Sequence, residues 1–186
     1  MKVFYCDGST RGKNQKGADN IGGWGVVCFN VLDSVDWELE SFDCDTTEGT
    51  TNNREELKAL IYCLSTIKEL YPDEKCIIYS DSAYVVNMFN NWIFTWAANS
   101  WKNSKKQLVE NLDLVQVIYN FIQESFFEYN VQKCSGHTGD LGNELADALA
   151  TENYKRFINL CIENNLVISE DDYDWLTFKD RTVKMI

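Results

Sequence analysis

Apolar residues in the first quarter of the chain form three short clusters. They alternate with polar residues or run together in residues 2 to 6, 24 to 31 and about 35 to 43, and segments rich in Gly, Asn and Asp separate these clusters. Alternation with a period of two is typical of strands, and Gly, Asn and Asp favour the turns between them. The pattern therefore predicts three strands, paired antiparallel.

The apolar pattern takes a helical period after residue 53. From Asn53 to Leu70 apolar side chains recur at three- and four-residue intervals, and Pro72 marks the end of the predicted helix. The remaining predicted elements are a buried strand over 76–80, a helical stretch from 82 to about 122 with a polar interruption over 97–106, a strand around 131–134, and a helix from about 143 that continues past 161.

This order of strands and helices predicts an α/β fold, in which a mixed sheet carries helices on its faces. A chain of 186 residues with 45% hydrophobic content can bury one substantial core. We therefore expect a single folded domain. Residues 151–186 are expected to form a continuation of the last helix and a tail to which the sequence assigns no role.

Cysteine content and hydropathy indicate the cellular compartment in which the protein is expected. The seven cysteines include no C-x-x-C pair, which disfavours a zinc site or a disulfide framework and favours free thiols in a reducing compartment. No apolar run approaches the length of a membrane span, and the amino terminus lacks a basic segment followed by an apolar one. We expect a cytoplasmic monomer without membrane contact.

The net charge of −12 argues against a nucleic-acid partner when it is taken alone. Proteins that hold nucleic acid normally gain affinity by neutralising phosphates with Lys and Arg. The charge of the whole chain does not describe a local groove, however, and carboxylates that bind divalent cations become much less negative. Charge therefore leaves a nucleic-acid partner open.

Two acids follow predicted strands. Asp7 lies where the first strand meets Gly8, and Asp81 follows the buried strand that ends at Ser80. Sites in sheets with helical crossovers form at the carboxyl ends of neighbouring strands, so these acids can bind one cation between them. Each acid alone is also explained as a turn former or a helix N-cap.

Two further acids, Glu55 and Glu56, occupy the first turn of the helix after residue 53, where the helix dipole favours carboxylates whatever their role. Helical phase separates them. At about 100° per residue, Glu56 falls beside the apolar stripe and is expected to face the sheet. Glu55 falls nearly opposite the stripe and is expected to face water.

A glycine-rich loop joins the last predicted helix, on which Asn143 and Asp147 share a polar face. A polar pair at this spacing is often a solvated surface. The only histidine of the chain, His137, lies in the adjoining loop, where it can shuttle a proton or be a plain loop residue.

Four sequence segments together resemble the bacterial-type ribonuclease H1 family. They are Asp7-Gly8-Ser9, Thr51-Asn52-Asn53-Arg54-Glu55-Glu56-Leu57, Ser80-Asp81-Ser82-Ala83-Tyr84-Val85, and Gly136-His137-Thr138-Gly139 with Asn143 and Asp147. Each string alone is common, but their order and spacing over residues 1 to 150 make coincidence improbable. The resemblance implies a five-stranded mixed sheet with flanking helices.

The resemblance also implies an activity, the hydrolysis of the RNA strand of RNA/DNA hybrids, largely independent of base sequence. It makes Asp7, Glu56, Asp81 and Asp147 the ligands of two Mg²⁺ ions, for which Mn²⁺ is a substitute, and thus selects Glu56 over Glu55. His137 matches a residue that assists proton transfer or product departure. Residues implied to lie near the nucleic-acid backbone are Thr51, Asn52, Asn53 and Asn143.

The segment from Trp92 to Asp113 resembles a basic helical protrusion that grips the DNA strand in bacterial members. The residues that would contact substrate there are Trp92, Trp96, Trp101 and Lys102. The match is partial, because Ala97 to Ser100 replace an expected basic run and Ala83 replaces a frequent Gln. The tryptophans are equally explained as helix-packing residues.

Two other functions fit parts of this pattern. A Holliday-junction resolvase or transposase-like nuclease would share the first two acids, but the combined second and fourth motifs favour ribonuclease H. A hybrid-binding module or acidic adaptor without catalysis would fit the net charge. The presence of all four acids and His137 argues against that second alternative.

Overall fold

The computed structural model describes residues 1–11, 20–33, 36–124, 129–136 and 139–183. The strands are β1 (Lys2–Arg11), β2 (Ile21–Val31), β3 (Trp37–Glu48), β4 (Cys76–Ser80) and β5 (Tyr129–Lys133). The helices are α1 (Asn52–Leu70), α2 (Ala83–Asn87), α3 (Ile93–Ala98), α4 (Leu112–Glu124), α5 (Leu141–Ala150), α6 (Tyr154–Glu163) and α7 (Glu170–Val183), and a π-helical segment (Met88–Trp92) joins α2 to α3.

The strands form one five-stranded mixed sheet in the order β3-β2-β1-β4-β5. The first three strands pair antiparallel, as predicted, whereas β1–β4 and β4–β5 pair parallel. The parallel pairs are connected through helices because a crossover is needed to bring the chain back to the same edge. The predicted α/β fold with a five-stranded mixed sheet is therefore confirmed.

The two faces of the sheet carry separate apolar cores. Phe4 and Val26 point to a core formed with α1, α2 and α4, whereas their neighbours Val3 and Val27 point to a core formed with α5, α6 and α7. Successive strand residues face opposite sides of a sheet, so a strand covered on both faces reads as a continuous apolar run. This burial explains the unbroken run at the start of β1.

The last part of the chain departs from the expected single helix. Helix α5 ends at Ala150 and α6 begins at Tyr154, with Glu152 in the turn at a φ of 54°. The backbone N–H of Asn153 donates to the carbonyl of Ala148 at 2.8 Å. The predicted continuation is wrong because this bond and the positive φ of Glu152 end α5, and a separate helix begins at Tyr154.

Residues after this turn pack on the second core, where Phe157 of α6 and Leu176 of α7 are each 0% exposed. The domain boundary near residue 150 stays a prediction. Within the described ranges, we find no helix with the length and apolar character required to span a membrane.

Candidate active site

Asp7 and Asp81 lie side by side where the parallel pairing of two central strands ends. The last paired residues are Cys6 of β1 and Ser80 of β4, so each acid is the next residue along its chain. The expectation that β1 ends at Asp7 is wrong, because antiparallel pairing with β2 extends β1 to Arg11. The neighbouring positions of the two acids follow from the parallel register alone.

The hydroxyl of Ser82, rather than the carboxylate of Asp81, caps α2, since it accepts a hydrogen bond from the Val85 N–H at 3.3 Å. The N-cap explanation for Asp81 therefore does not apply. Asp81 instead accepts a 3.4 Å hydrogen bond from Nδ2 of Asn143. This arrangement leaves the carboxylate of Asp81 directed at the sheet end and free of a capping role.

Glu56 reaches the same place from α1 because β1 passes very close to the first turn of that helix. The close approach depends on Gly8, where a Cβ atom would lie 2.1 Å from the backbone nitrogen of Glu56. That separation is far below van der Waals contact, so only glycine permits it. The helix itself begins at Thr51, whose Oγ1 accepts from the Arg54 N–H at 3.4 Å.

The carboxylates of Asp7, Glu56 and Asp81 form a compact group, in which one oxygen atom from each lies within 4.8 Å of the others. We refer to these three residues as the acidic centre. Asp7 is 7% exposed and Glu56 is 4% exposed. Three acids this close, two of them buried, repel one another strongly unless protons or cations reduce their charge.

Burial and repulsion together raise the pKa values of Asp7 and Glu56. Burial, followed by repulsion from Asp81 and Asp147, raises the pKa of Asp7 to about 7. Burial, followed by repulsion from Asp7, Cys6 and Asp81, raises the pKa of Glu56 to about 10. Perturbed acids of this kind mark functional sites more often than ordinary surface carboxylates do.

The donor set of the acidic centre fits a hard divalent cation. Oε2 of Glu56 is buried and has no hydrogen-bond partner, while Oε1 is 3.4 Å from the side-chain amide of Asn52. Asp7 accepts a hydrogen bond from the Gly8 N–H at 2.8 Å. Mg²⁺ and Mn²⁺ favour carboxylate oxygens that retain free lone pairs, and a cation would relieve the repulsion.

Asp147, the fourth predicted ligand, lies at the edge of this group and has a partner of its own. The structure brings Asp7, Glu56 and Asp81 into mutual contact range, whereas Oδ2 of Asp147 accepts a very short hydrogen bond from Nη1 of Arg156. Asp147 still raises the pKa of Asp7. It therefore acts electrostatically on the centre while it is held by an arginine that sequence analysis did not identify.

The prediction from helical phase that Glu55 faces water is wrong. This residue was expected to face water but is 0% exposed, and its Oε1 accepts hydrogen bonds from the Thr50 hydroxyl at 2.6 Å and from Lys58 Nζ at 2.7 Å. The reason lies in the sheet, since Cγ of Glu55 would be only 2.8 Å from a Cβ atom at Gly22. The beginning of β2, at Gly22, covers the side of α1 that helical phase assigned to solvent.

The residues predicted to contact the nucleic-acid backbone have different surroundings. Asn52 is exposed beside Glu56, and Thr51 and Asn53 are partly exposed in the same turn. Asn143 is 1% exposed, and its Oδ1 accepts from Sγ of Cys134 at 3.4 Å. The side chain of Asn143 is therefore committed to holding Asp81 in place.

The predicted protrusion combines packing with exposure. Trp96 and Trp101 are partly buried against the first core, and Trp101 contacts Tyr119 edge to face with ring centroids 5.3 Å apart. Trp92 is 39% exposed and lies 5.6 Å from Trp96 between ring centroids, and Lys102 is exposed. His137 lies outside the described residues.

Comparisons with known proteins agree with this geometry. The sequence profile of the family RNase H matches residues 1–155. A protein named Ribonuclease H from Caldicellulosiruptor saccharolyticus is 38% identical over 150 residues, which are 80% of this chain and 92% of the relative.

Solved structures share the fold. The crystal structure of LC9-RNase H1, described as a type 1 RNase H with the type 2 active-site motif, superposes with a TM-score of 0.69 at 27% identity, over 81% of this chain and 70% of the other. A foamy viral protease-reverse transcriptase in complex with an RNA/DNA hybrid has a TM-score of 0.65 at 23% identity, over 81% of this chain and 19% of that one. The extent of the profile match and the identity to a nearly full-length relative establish that the chain belongs to the RNase H family and is a nuclease of the hydrolase class.

Proposed function

We propose that the protein hydrolyses the RNA strand of RNA/DNA hybrids with two divalent cations, Mg²⁺ in the cell and Mn²⁺ as a substitute. The observation that carries this proposal is the acidic centre, in which carboxylate oxygens of Asp7, Glu56 and Asp81 lie within 4.8 Å of one another and Asp7 and Glu56 are buried. In this proposal Asp7, Glu56 and Asp81 are the main ligands, and Asp147 completes the set from the edge.

The chemistry fits a phosphodiester substrate. Divalent cations supply an activated water and neutralise charge on the attacking and leaving oxygens. The chain contributes a rigid carboxylate frame, because Asp7 is fixed in the sheet by its pairing with Gly25, and Asp81 is held by Asn143. A water nucleophile also makes a protein nucleophile unnecessary.

Substrate contacts are proposed on both sides of the acidic centre. The amides of the exposed Asn52 and the partly exposed Asn53 can bond to sugar hydroxyls and phosphates, and the 2′-hydroxyl distinguishes RNA from DNA. Contacts of this kind carry little base information, so cleavage is expected to be largely independent of sequence. His137 is proposed to move protons or to assist product departure.

The protrusion is proposed to hold the DNA strand with modest strength. Trp92 offers an exposed ring for stacking, and Lys102 offers a charge for a phosphate. The foamy viral enzyme, which shares the fold, is described in complex with an RNA/DNA hybrid, and this supports a hybrid as the class of substrate. Because Ala97 to Ser100 replace a basic run and Glu110 adds a negative charge, weak phosphate binding is expected.

The test is cleavage of a labelled RNA/DNA duplex by the purified protein, with Mg²⁺, with Mn²⁺ and with EDTA. Double-stranded RNA and double-stranded DNA of the same sequence serve as controls. We expect nicks in the RNA of the hybrid only, at many positions, and only with a divalent cation. Absence of hybrid cleavage under both metals would refute the proposal, and equal cleavage of double-stranded DNA would refute the substrate assignment.

Two further expectations concern the cellular form of the protein. We propose that it is a monomer, which light scattering of the purified protein measures directly. We also propose a cytoplasmic location, which cell fractionation tests. A dimer or a membrane-bound pool would contradict these expectations without affecting the proposed reaction.

A further inference from the structure

Arg156 contacts the fourth predicted metal ligand directly. Its Nη1 donates a very short hydrogen bond to Oδ2 of Asp147, and its Nη2 lies 3.7 Å from Oε2 of Glu144. The side chain of Asp147 is 15% exposed and that of Arg156 is 35% exposed. The guanidinium group therefore partly neutralises the acid at the edge of the acidic centre. Arg156 also lies beyond residue 155, the end of the match to the family profile.

The position of Arg156 is set by the way α6 begins. Asn153 caps this helix, because its Oδ1 accepts a hydrogen bond from the Arg156 N–H at 3.2 Å. The next residue, Phe157, is 0% exposed in the second core, as is Cys161 one turn later. A side chain between a capped helix end and a buried anchor is held with little freedom, so its contact with Asp147 is pre-organised.

We infer that Arg156 is a positioning residue that holds Asp147 at the edge of the acidic centre and keeps cation binding there weak. This inference rests on the proposed metal-dependent function. A cation that approaches Asp147 must share that carboxylate with a guanidinium group and meets its positive charge. Like charges a few ångströms apart repel even through water.

The consequence is an uneven metal site. Among the residues that the structure describes, none of the three acids of the acidic centre forms an ion pair, whereas Asp147 pairs with Arg156. The first cation position is therefore expected to be tight and the position that uses Asp147 to be weak. A weakly held cation exchanges readily, which suits a site that must release a charged product.

The test measures Mn²⁺ binding to the protein without nucleic acid, by calorimetry and by the electron paramagnetic resonance signal of free Mn²⁺. Arg156→Gln is compared with Lys155→Gln, which removes the same charge from the exposed neighbouring residue of α6. We expect the Mn²⁺ binding that depends on Asp147 to become about tenfold tighter in Arg156→Gln. Lys155→Gln is expected to differ little from the parent protein.

Two more variants separate charge from shape and identify the acid involved. Arg156→Lys keeps the positive charge and is expected to bind Mn²⁺ like the parent. The double variant Arg156→Gln, Asp147→Asn is expected to lose the gain, because no carboxylate remains to be released. If the gain persists there, released Glu144 is responsible and the inference is overturned.

Other outcomes also decide the matter. Equal Mn²⁺ affinity of Arg156→Gln and Lys155→Gln would overturn the inference while leaving the proposed function intact. Tighter binding in Arg156→Lys as well would show that shape rather than charge matters, and would overturn it too. If the parent binds no more Mn²⁺ than Asp7→Asn does, the proposed metal centre itself fails. Thermal unfolding of each variant confirms that the folded protein is compared.

Discussion

Glu55 and Glu56 are consecutive residues in the first turn of α1, and they are 0% and 4% exposed, yet the protein treats their charges differently. Glu55 belongs to a group in which Lys58 donates to it at 2.7 Å and also to the Thr47 hydroxyl at 2.7 Å. Glu56 faces Asp7 and Asp81, both of which raise its pKa. Among the described residues, Glu55 forms an ion pair with Lys58, whereas the charged groups that shift the pKa of Glu56 are all acidic.

This difference shows which property separates a structural acid from a candidate metal ligand. Burial does not separate the two residues, because both are buried. A carboxylate oxygen without a hydrogen-bond partner does not separate them either, because Oε2 of each lacks one. The distinguishing property is the sign of the surrounding charge. A buried carboxylate among anions is stable only when it is protonated or when a cation arrives from solution.

The largest expected effect separates the two glutamates by activity. Glu56→Gln should lower hybrid cleavage about 1000-fold or more, because a metal ligand supports several kcal/mol of transition-state stabilisation. Asp81→Asn should do the same. Glu55→Gln should retain activity within about tenfold, since its partner is Lys58. The measurement is single-turnover cleavage at saturating Mg²⁺. Equal losses in both glutamate variants would remove the contrast drawn above.

The next effect is stabilisation by metal. Mg²⁺ at about 100 times its dissociation constant should stabilise the parent by about 2.7 kcal/mol. This corresponds to an increase in Tm of about 5–10 °C for a chain of this size. Glu55→Gln should respond similarly and Glu56→Gln much less. Thermal unfolding with and without Mg²⁺ gives the result, and a similar response of Glu56→Gln would place the cation elsewhere.

The third effect is the pH dependence of stability without metal. The folded-state pKa of Asp7 is raised to about 7, so the folded chain holds a proton that the unfolded chain releases near pH 4. Stability is therefore present below that lower pKa and is lost as pH rises through about 7. The raised pKa of Glu56, about 10, extends the loss to higher pH.

Between pH 5 and pH 8 in EDTA, we expect the free energy of unfolding to fall by roughly 2 kcal/mol more in the parent than in Glu56→Gln. Urea unfolding at the two pH values measures this difference. The glutamine variant removes one of the repelling charges, so its curve should be flatter. An identical pH dependence in both proteins would mean that Asp7 and Glu56 are not coupled.

The smallest expected effect is the structural cost of changing Glu55. Glu55→Gln weakens its hydrogen bonds to the Thr50 hydroxyl and to Lys58, and should lower the free energy of unfolding by roughly 1–2 kcal/mol. Glu69→Gln, an exposed position on the same helix, is the matched control and should change it by less than about 0.5 kcal/mol. Urea unfolding at pH 7 compares them. No difference between the two variants would show that the Lys58 partnership is energetically unimportant.

Sequence reasoning named Asp7, Glu56 and Asp81 by combining local signals with the family resemblance. Asp7 and Asp81 each follow a residue of a parallel strand pair, and Glu56 has the helical phase that faces the sheet. Glu55 was placed wrongly because helical phase assumes one covered side, whereas the strand end at Gly22 covers a second. Long-range packing of this kind is absent from a periodic pattern.

The turn after α5 was missed for a different reason. Asn153 is a favourable N-cap residue, so a new helix could have been predicted there, but the apolar residues beyond it continue a helical period. The contact between Arg156 and Asp147 was not predictable, since it depends on the angle between two helices. Alternating strand patterns likewise gave no indication that β1 would extend to Arg11.

The turn between α5 and α6 determines the distance between Asp147 and Arg156. Asp147 and Arg156 are nine residues apart, and a continuous helix with a rise of about 1.5 Å per residue would separate them by about 13 Å along its axis. Because residues 151–153 turn the chain between the two helices, the side chains of Asp147 and Arg156 are in contact. The length of the turn therefore determines whether the charge of Arg156 reaches Asp147. A change in this length would alter metal binding without replacing any charged residue.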